Sequence, residues 1–452
     1  MFYIIHILYV DFLYNEDNLY GKNLCSALLK RLLGNDYKSY IKYLYKHEII
    51  GINKRYKPGK FSKEYWLIDE FISQPQWHTI TDFTLCKKLK RKSANTKQYS
   101  YLIKWYDCLE MDIPSANEFA EQIYELKKNN SCLRDKVRKY DKEKNKRYLV
   151  DKDPSRQFFR SNYNIECFKK RDFRFTVDDK GNRFHSPLSK CNKHLRNFAT
   201  CKGKSLMCID MSNCQLFFLL FLLDKSTWQK NTNSESIKLI SKQILSNKSI
   251  SQMCTKISEI DTSKGFEQEL KRYKEIVSEG RFYKLMLDKY NEEFPTKYIT
   301  IEDIKLYTII SLFSKKGTRC EGIKTIFRKE FPLIYSIITE INKDDHSTLA
   351  LLLQRIESHI FLDRVCKRIS IEKPNLPIYP IHDSIASIDS EENLEYIKRI
   401  IKEECSSLID VAPNLKVEYW QPVNNQNIVK KMLDELFDEI CEGNKVHFHI
   451  AA

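Results

Sequence analysis

Two aspartates, far apart in the chain, each stand at the edge of an apolar segment. Asp210 ends the apolar run 206–209 and is followed by a short polar turn and the apolar run 216–223, which predicts strand, turn and helix. Asp383 follows Ile381 and His382 on a predicted tight strand–turn–strand. Carboxylates from separate segments can converge on two divalent ions about 3.5 to 4 Å apart, which clamp the attacking and leaving oxygens of an in-line phosphoryl transfer. Each aspartate alone is better explained as a turn carboxylate, but the pair favours a site for two Mg²⁺ ions.

The composition of the 452-residue chain predicts two or three domains and a polyanionic partner. Lys and Arg number 76 against 60 Asp and Glu, and the net charge of +16 favours nucleic acid, with an anionic membrane surface second. The 14 Cys form no CxxC pair, so the sequence predicts a reduced, cytoplasmic protein without a disulfide scaffold or zinc ribbon. The apolar N-terminus lacks the basic start of a signal peptide, and no run of about 18 apolar residues predicts a membrane span.

The first 95 residues predict a mostly helical N-terminal region with a winged-helix-like segment. Residues 22–72 give two helical patterns and then two short strands around a Lys-Pro-Gly-Lys turn. The tip of this hairpin is basic, and Lys57 and Lys60 are its candidate contacts to nucleic-acid phosphates. A solvated hairpin that packs the segment on the rest of the chain explains the same charges equally well.

The remaining residues predict two further parts. Residues 96–150 are charged, have helical periodicity and predict a helical arm or thumb. Residues 151–452 give the order strand, helical insertion, helix, hairpin, helix, with the insertion at about 264–341 and a surface excursion at 224–263. The hairpin around Asp383 is followed by a predicted helix over 391–408 and an edge strand at 415–420.

Five short motifs between residues 175 and 425 stand in a fixed order. The first aspartate lies in Asp210-x-Ser212-x-x-Gln215 and the second in His382-Asp383. Residues 277–283, 326–332 and 351–357 supply the other three. Together they resemble the family A DNA polymerases, the group of bacterial polymerase I and its phage relatives. The motifs of Asp210 and Asp383 are similar to the first and last palm motifs of that family. Residues 277–283 are similar to the start of the fingers, 326–332 to the segment after the fingers helix, and 351–357 to the helix along the minor groove.

This resemblance implies an α+β right-hand polymerase with a palm and helical fingers, preceded by the winged-helix-like region. It implies a nucleotidyltransferase that extends a primer on a DNA template from nucleoside triphosphates, with two Mg²⁺ ions held by Asp210 and Asp383 as the catalytic residues. No paired-carboxylate exonuclease pattern precedes the palm, so a proofreading domain is not expected. A DNA polymerase of a phage or mobile element is expected to have replication or mobile-element partner proteins.

The predicted fingers depart from the family pattern. In the family, one helix carries Arg-x3-Lys and then Tyr-Gly, where the cations hold the triphosphate and the ring stacks on the incoming base. Lys305 and Phe313 fit that pattern here, whereas Ile301 stands in the place of the Arg. The remaining contacts to the triphosphate are therefore expected from Lys315, Lys316 or Arg319.

Two positions bear on the sugar of the nucleotide. Gln215 stands where the family has a Glu that crowds the ribose 2′ position, and its similar length favours deoxynucleotides as substrates. Ser384, directly after Asp383, is similar to the last motif of the single-subunit phage-type RNA polymerases, which is also His-Asp-Ser. A phage-type RNA polymerase or primase is therefore the alternative enzyme.

Three more residues are candidate contacts to nucleic acid, each with a plainer alternative. His382 is expected to orient Asp383 or contact the primer end, or else simply to pack. Gln354 carries a donor and an acceptor that suit the minor groove, but a surface or capping Gln fits as well. Arg183 is expected to hold a template phosphate, or to be a solvated turn residue. The alternative of another class is a non-catalytic DNA-binding protein that uses residues 22–72 and a degenerate palm as scaffold.

Overall fold

The computed structural model of the protein describes residues 1–15, 21–141, 146–228, 265–314 and 322–448, together with residues 252, 255 and 256. Within these ranges the chain combines many helices with antiparallel sheets of six, three, two and two strands. The buried apolar side chains of the same ranges form three clusters. The expected mixture of helix and sheet is confirmed.

The N-terminal part packs three helices on a small sheet. Its elements are α1 (Phe2–Tyr14), β1 (Lys22–Asn23), α2 (Ser26–Leu33), α3 (Tyr37–Lys46), β2 (Ile50–Asn53) and β3 (Glu64–Leu67). The strands are antiparallel in the order β1-β3-β2, and apolar side chains from all three helices form one cluster with them. The predicted order of two helices and a hairpin is confirmed, and the apolar N-terminus forms a helix.

The segment that follows is less helical than predicted. It contains α4 (Phe83–Lys92), α5 (Ser100–Ile103), β4 (Leu109–Met111), α6 (Ile113–Asn129), β5 (Lys136–Asp141) and β6 (Lys146–Asp151), with short 3-10 helices between them. The prediction of helix throughout 96–148 is wrong for β4 and for the hairpin β5–β6. Val137 stands opposite Val150 in that hairpin, and β-branched residues favour strands, but the surrounding charges concealed this preference.

The largest sheet within the described residues has six antiparallel strands. The elements that build it or flank it are α7 (Pro154–Lys169), β7 (Thr176–Val177), β8 (Phe184–His185), α8 (Pro187–Lys190), β9 (Ala199–Cys201), β10 (Lys204–Met211), β11 (Ile378–Ile381), β12 (Ser384–Ile388) and β13 (Leu415–Trp420). The strand order is β11-β12-β10-β9-β4, and β13 pairs with the other edge of β10. The predicted strands at 206–210 and 415–420 and the predicted hairpin around Asp383 are confirmed.

All but the last of the remaining helices contribute side chains to one apolar cluster on this sheet, and the last packs against α6 in the other cluster. They are α9 (Cys214–Leu223), α10 (Phe266–Ser278), α11 (Phe282–Glu293), α12 (Ile301–Phe313), α13 (Ile323–Glu330), α14 (Pro332–Ile341), α15 (Thr348–Ser358), a π-helical stretch (His359–Cys366), α16 (Lys367–Glu372), α17 (Glu391–Ile409) and α18 (Pro422–Phe448). The described residues of the predicted insertion at about 264–341 are mostly helical and the predicted helix over 391–408 is confirmed, whereas the predicted surface excursion at 224–263 lies almost wholly outside the described residues. No helix in the described ranges is both long enough and apolar enough to cross a membrane.

Strand β10 is buried on both faces. Met207, Ile209 and Met211 belong to the apolar cluster formed with the helices, while Leu206 and Cys208 belong to the cluster formed with α6 and α7. Because side chains alternate along a strand, a shift of one residue would exchange the two sets. This double burial fixes the register of β10 and therefore the position of the aspartate near its end.

Candidate active site

The sheet brings the two predicted aspartates together. Asp210, near the end of β10, is the register partner of Ser384 on β12, and the backbone N–H of Met211 donates to the carbonyl oxygen of Asp383 at 3.3 Å. Opposite residues on antiparallel strands have Cα atoms about 4.5 to 5.5 Å apart. Asp383 therefore lies one residue from the position directly opposite Asp210.

The turn that carries Asp383 has an unusual backbone. Ile381 pairs with Ser384, so only His382 and Asp383 form the loop between β11 and β12. His382 has a φ of 56°, at a position where two-residue hairpin loops usually place Gly or Asn. Non-glycine residues held in such backbone conformations cluster at functional sites. The surrounding sheet holds this turn in place beside Asp210.

Both carboxyl groups are harder to ionise than ordinary aspartates. Burial, and then the nearby Asp383, raise the pKa of Asp210 to about 7, although Lys416 on β13 opposes the shift. Burial also raises the pKa of Asp383. Two carboxylates that share a partly dehydrated site repel each other when both are charged.

The donor set of this pair suits a hard divalent cation. Carboxylate oxygens are ligands that Mg²⁺ prefers, and a cation between the two groups removes their repulsion. Asp210 and Asp383 are the residues that would hold it. Within the described residues, no group of three or more His, Cys, Asp or Glu side chains is placed to hold a metal ion.

A buried glutamate that the sequence reasoning missed lies beside the pair. Glu357 on α15 is 1% exposed, and Arg183 donates to it through Nε (2.9 Å to Oε1) and Nη2 (2.8 Å to Oε2). Gln215 Nε2 donates to its Oε2 at 2.6 Å, and the Cys214 thiol lies 3.8 Å from the same oxygen. The available signal was a lone acidic residue on the apolar side of a helical pattern, at a spacing of three from Gln354.

This ion pair changes the interpretation of Arg183. The solvated turn arginine proposed as its alternative is wrong, because the guanidinium makes a two-bond contact with Glu357 and only a quarter of the side chain is exposed. A contact to a template phosphate stays a prediction. Burial raises the pKa of Glu357 to about 7, and the adjacent Arg183 opposes that shift.

The turn before Arg183 is fastened to α15. The Asp178 carboxylate accepts hydrogen bonds from three backbone N–H groups of this turn, including that of Arg183 at 2.9 Å. Arg355 Nε donates to the Lys180 carbonyl at 2.6 Å. A Cβ atom added to Gly181 would lie 2.7 Å from Gln354 Oε1 and 3.1 Å from Gln354 Cβ, so the turn and α15 approach each other closely here. Gln354 is thus half-buried against the turn, and its predicted contact to the minor groove stays a prediction.

His382 is a neutral side chain at the edge of the site. Burial and the nearby Arg183 lower its pKa to about 4, so the imidazole carries no charge at pH 7. Its ring meets the His185 ring edge to face, with centroids 5.8 Å apart. Its Nδ1 is buried and has no hydrogen-bond partner within the described part of the chain. The ring is packed and also keeps an unused polar atom.

The other predicted residues lie outside this cluster or outside the described residues. Lys305 is exposed on α12, and Phe313 is half-buried at the end of the same helix, where it packs on the apolar core. Lys315 and Lys316 fall outside the described residues. Lys57 and Lys60 are exposed in the loop between β2 and β3. These strands belong to the three-stranded N-terminal sheet and not to the six-stranded sheet that contains β10.

Comparisons with known proteins leave the family of this chain open. No protein-family model matches it, and no curated protein matches it either. Among solved structures it is similar to the polymerase domain of Pol1 from M. smegmatis, in a complex with DNA primer-template and dNTP. That alignment covers 75% of this chain and 73% of that chain, with 12% sequence identity and a TM-score of 0.33. A likeness of this size supports no inference about fold, family or function.

Proposed function

We propose that the protein is a template-directed nucleotidyltransferase that extends a primer on DNA. The observation that carries this proposal is the placement of Asp210 near the end of β10 and of Asp383 in the adjoining β11–β12 loop, where both carboxyl groups have a raised pKa. Two ionised carboxylates at this distance repel each other, and a bound divalent cation that prefers oxygen ligands relieves the repulsion. The order of the surrounding motifs, which resembles family A DNA polymerases, gives the pair its proposed reaction.

The proposed chemistry assigns separate tasks to the residues around the pair. Two Mg²⁺ ions, held by Asp210 and Asp383, would supply activation of the primer 3′-hydroxyl and stabilisation of the pyrophosphate leaving group. The neutral His382 can hydrogen-bond the primer end without repelling the cations. Arg183 keeps a partly exposed guanidinium for the template strand, and the exposed Lys305 carries a positive charge suited to the triphosphate.

Gln215 is the proposed sugar gate. It is the one residue of α9 that is not buried. It is the second residue of that helix, which begins directly after the short turn that follows Asp210 and β10. A side chain of that length beside the sugar excludes a 2′-hydroxyl, so deoxynucleoside triphosphates are the proposed substrates. The alternative of an RNA-synthesising enzyme depended on the presence of Ser384 after Asp383. In the structure the Ser384 hydroxyl donates a hydrogen bond to the Ile381 carbonyl oxygen at 2.8 Å, so it has a partner within its own hairpin.

Extension of a labelled primer on a DNA template tests the proposal. The purified protein is supplied with Mg²⁺ and either deoxy- or ribonucleoside triphosphates. We expect extension with deoxynucleotides, and loss of extension in Asp210→Asn and in Asp383→Asn, because a neutral amide cannot balance the cations. Asp389→Asn, at the other end of β12, is the matched control and should extend like the wild type. Extension with ribonucleotides alone would assign the RNA polymerase or primase alternative, and synthesis by the double aspartate variant would contradict the proposal.

The β2–β3 loop supports nucleic-acid binding as a second candidate function. Residues 54–63 contain no acidic side chain, and the five cations are all exposed: Lys54, Arg55, Lys57, Lys60 and Lys63. Two aromatic side chains between them are also exposed, Tyr56 at 61% and Phe61 at 51%. Cations with interleaved rings suit the phosphates and bases of a nucleic acid. This surface does not depend on the aspartate pair, so a non-catalytic DNA-binding protein could use it alone.

The salt dependence of DNA binding tests this surface. Each phosphate contact contributes about 0.9 to the slope of log K against log salt for duplex DNA. Alanine at Lys54, Lys57 and Lys60 should therefore lower the slope by up to about 3, as measured by fluorescence anisotropy. The control variant carries alanine at three exposed lysines that are each ion-paired with a nearby carboxylate: Lys284, Lys343 and Lys431. Equal slopes for the two triple variants would exclude the loop as a DNA contact.

A further inference from the structure

Glu357 lies directly beneath the proposed sugar gate. Its carboxylate is 1% exposed and accepts hydrogen bonds from Gln215 at 2.6 Å and from Arg183 at 2.9 and 2.8 Å. Only Gln215 and Arg183, of these three, reach the surface of the site. A buried carboxylate with charged and polar donors makes stronger hydrogen bonds than a neutral acceptor does. The buried Glu357 carboxylate therefore holds both partly exposed side chains in place through hydrogen bonds.

The contact with Glu357 decides which way the Gln215 amide faces. When Glu357 is ionised, which the adjacent Arg183 favours, its carboxylate accepts hydrogen bonds but cannot donate one, so the amide turns its NH₂ group toward it. The amide oxygen then faces away from Glu357, and the side chain cannot change rotamer without breaking the 2.6 Å bond. A free glutamine at a half-buried position samples several rotamers, since its χ angles have several staggered minima.

We propose that Glu357 is a positioning residue that sets the selection between deoxy- and ribonucleotides by holding Gln215 in one rotamer. The inference depends on the proposed function. A held amide keeps its volume at the place a 2′-hydroxyl would occupy, whereas a released one can move aside or hydrogen-bond that hydroxyl. The family motif that this segment resembles has a Glu at the position of Gln215, so in this chain the carboxylate comes from a different helix.

The charge of Arg183 limits what a simple removal of Glu357 can show. Loss of the carboxylate leaves a partly buried guanidinium without its partner, and such an uncompensated charge destabilises a fold. Two variants avoid this. Gln215→Leu keeps the side-chain size and the ion pair but removes the donor to Glu357. The exchange Gln215→Glu with Glu357→Gln keeps one carboxylate and one amide beside Arg183.

The experiment compares kcat/KM for a deoxynucleotide and the matching ribonucleotide in primer extension with Mg²⁺. The ratio of the two values is taken within each variant, so that a general loss of activity cancels. We expect the ratio to fall at least tenfold in Gln215→Leu and in Glu357→Gln, mainly through a lower KM for the ribonucleotide. The exchange variant should recover most of the ratio. Thermal melting of each variant shows whether it is folded.

The outcomes separate this proposal from the proposed function. A wild-type ratio in Gln215→Leu overturns the positioning role, because side-chain volume alone would then explain selection. A fall of both kcat/KM values by the same factor in Glu357→Gln, with the ratio unchanged, assigns Glu357 a merely structural role and also overturns it. Failure of the wild-type protein to extend with either nucleotide overturns the proposed function itself, together with the inference that depends on it.

Discussion

Asp210 should make the metal-free protein less stable, and its removal should make it more stable. Burial and the neighbouring Asp383 raise the pKa of Asp210 to about 7, against 3.8 for an ordinary aspartate. Between these two values the folded protein binds more protons than the unfolded chain, so stability falls as the pH rises through the window. The full loss of stability from ionised Asp210 is present above about pH 7, and it is absent below about pH 4. Asp210→Asn cannot ionise and therefore escapes it.

The size of the effect follows from the shift. Each unit of pKa corresponds to about 1.4 kcal/mol, so a shift of about three units gives an upper limit of about 4 kcal/mol. Water reaches part of the Asp210 side chain, which screens the charge. We therefore expect Asp210→Asn to raise the free energy of unfolding by about 1 to 3 kcal/mol at pH 8.

Thermal melting of chelator-treated protein between pH 4 and pH 8 measures this effect. The melting temperature of Asp210→Asn should match the wild type near pH 4 and exceed it increasingly toward pH 8. Added Mg²⁺ should raise the melting temperature of the wild type, since a ligand that binds only the folded state stabilises it, and should narrow the difference. A difference in melting temperature that does not depend on pH, or the same gain in the control Asp389→Asn, would show that ionisation of Asp210 does not destabilise the fold.

Two further predictions concern the elements around the site. Gly280 has a φ of 75°, and a Cβ atom added to it would lie 2.6 Å from Asn414 Nδ2. Gly203 has a similar φ of 73°, but a Cβ atom added there would have no non-adjacent neighbour within 4 Å among the described residues. Gly280→Ala should therefore lower the melting temperature by more than Gly203→Ala, and equal losses would show that the contact with Asn414 is irrelevant. Thr300 accepts a hydrogen bond from the third residue of α12 as its N-cap, so Thr300→Ala should cost about 0.5 to 2 kcal/mol in urea unfolding, and an unchanged midpoint would contradict the cap.

The sequence was most informative where local pattern and burial agree. Asp210 and Asp383 could be predicted to meet because each follows an apolar strand that has to be buried, and the polar turn and apolar run of α9 mark where β10 ends. The caps of the later helices are also local signals, such as Ser390 at the start of α17. The helical pattern over 391–408 was placed correctly as α17, whereas the one over 96–150 is interrupted by strands.

The predictions failed where a contact depends on residues distant in sequence. Nothing near Leu109 indicates that β4 pairs with β9, about 90 residues later. The ion pair of Arg183 joins residues 174 apart, so neither partner could be identified from its neighbours. Glu357 was overlooked for the same reason, because a single acidic residue in a helical pattern is usually solvated. Its contacts with Arg183 and Gln215 become evident only in the folded structure.

Counting the cations that Asp210 and Asp383 hold tests directly whether they form a two-metal site. Mn²⁺ is titrated into the protein with primer–template and a nucleotide whose α–β bridge cannot be cleaved, and free Mn²⁺ is followed by electron paramagnetic resonance. We expect two tightly bound ions per chain for the wild type and for Asp389→Asn, and loss of both in the double variant Asp210→Asn, Asp383→Asn. The same two ions bound by the double variant would contradict the two-metal site.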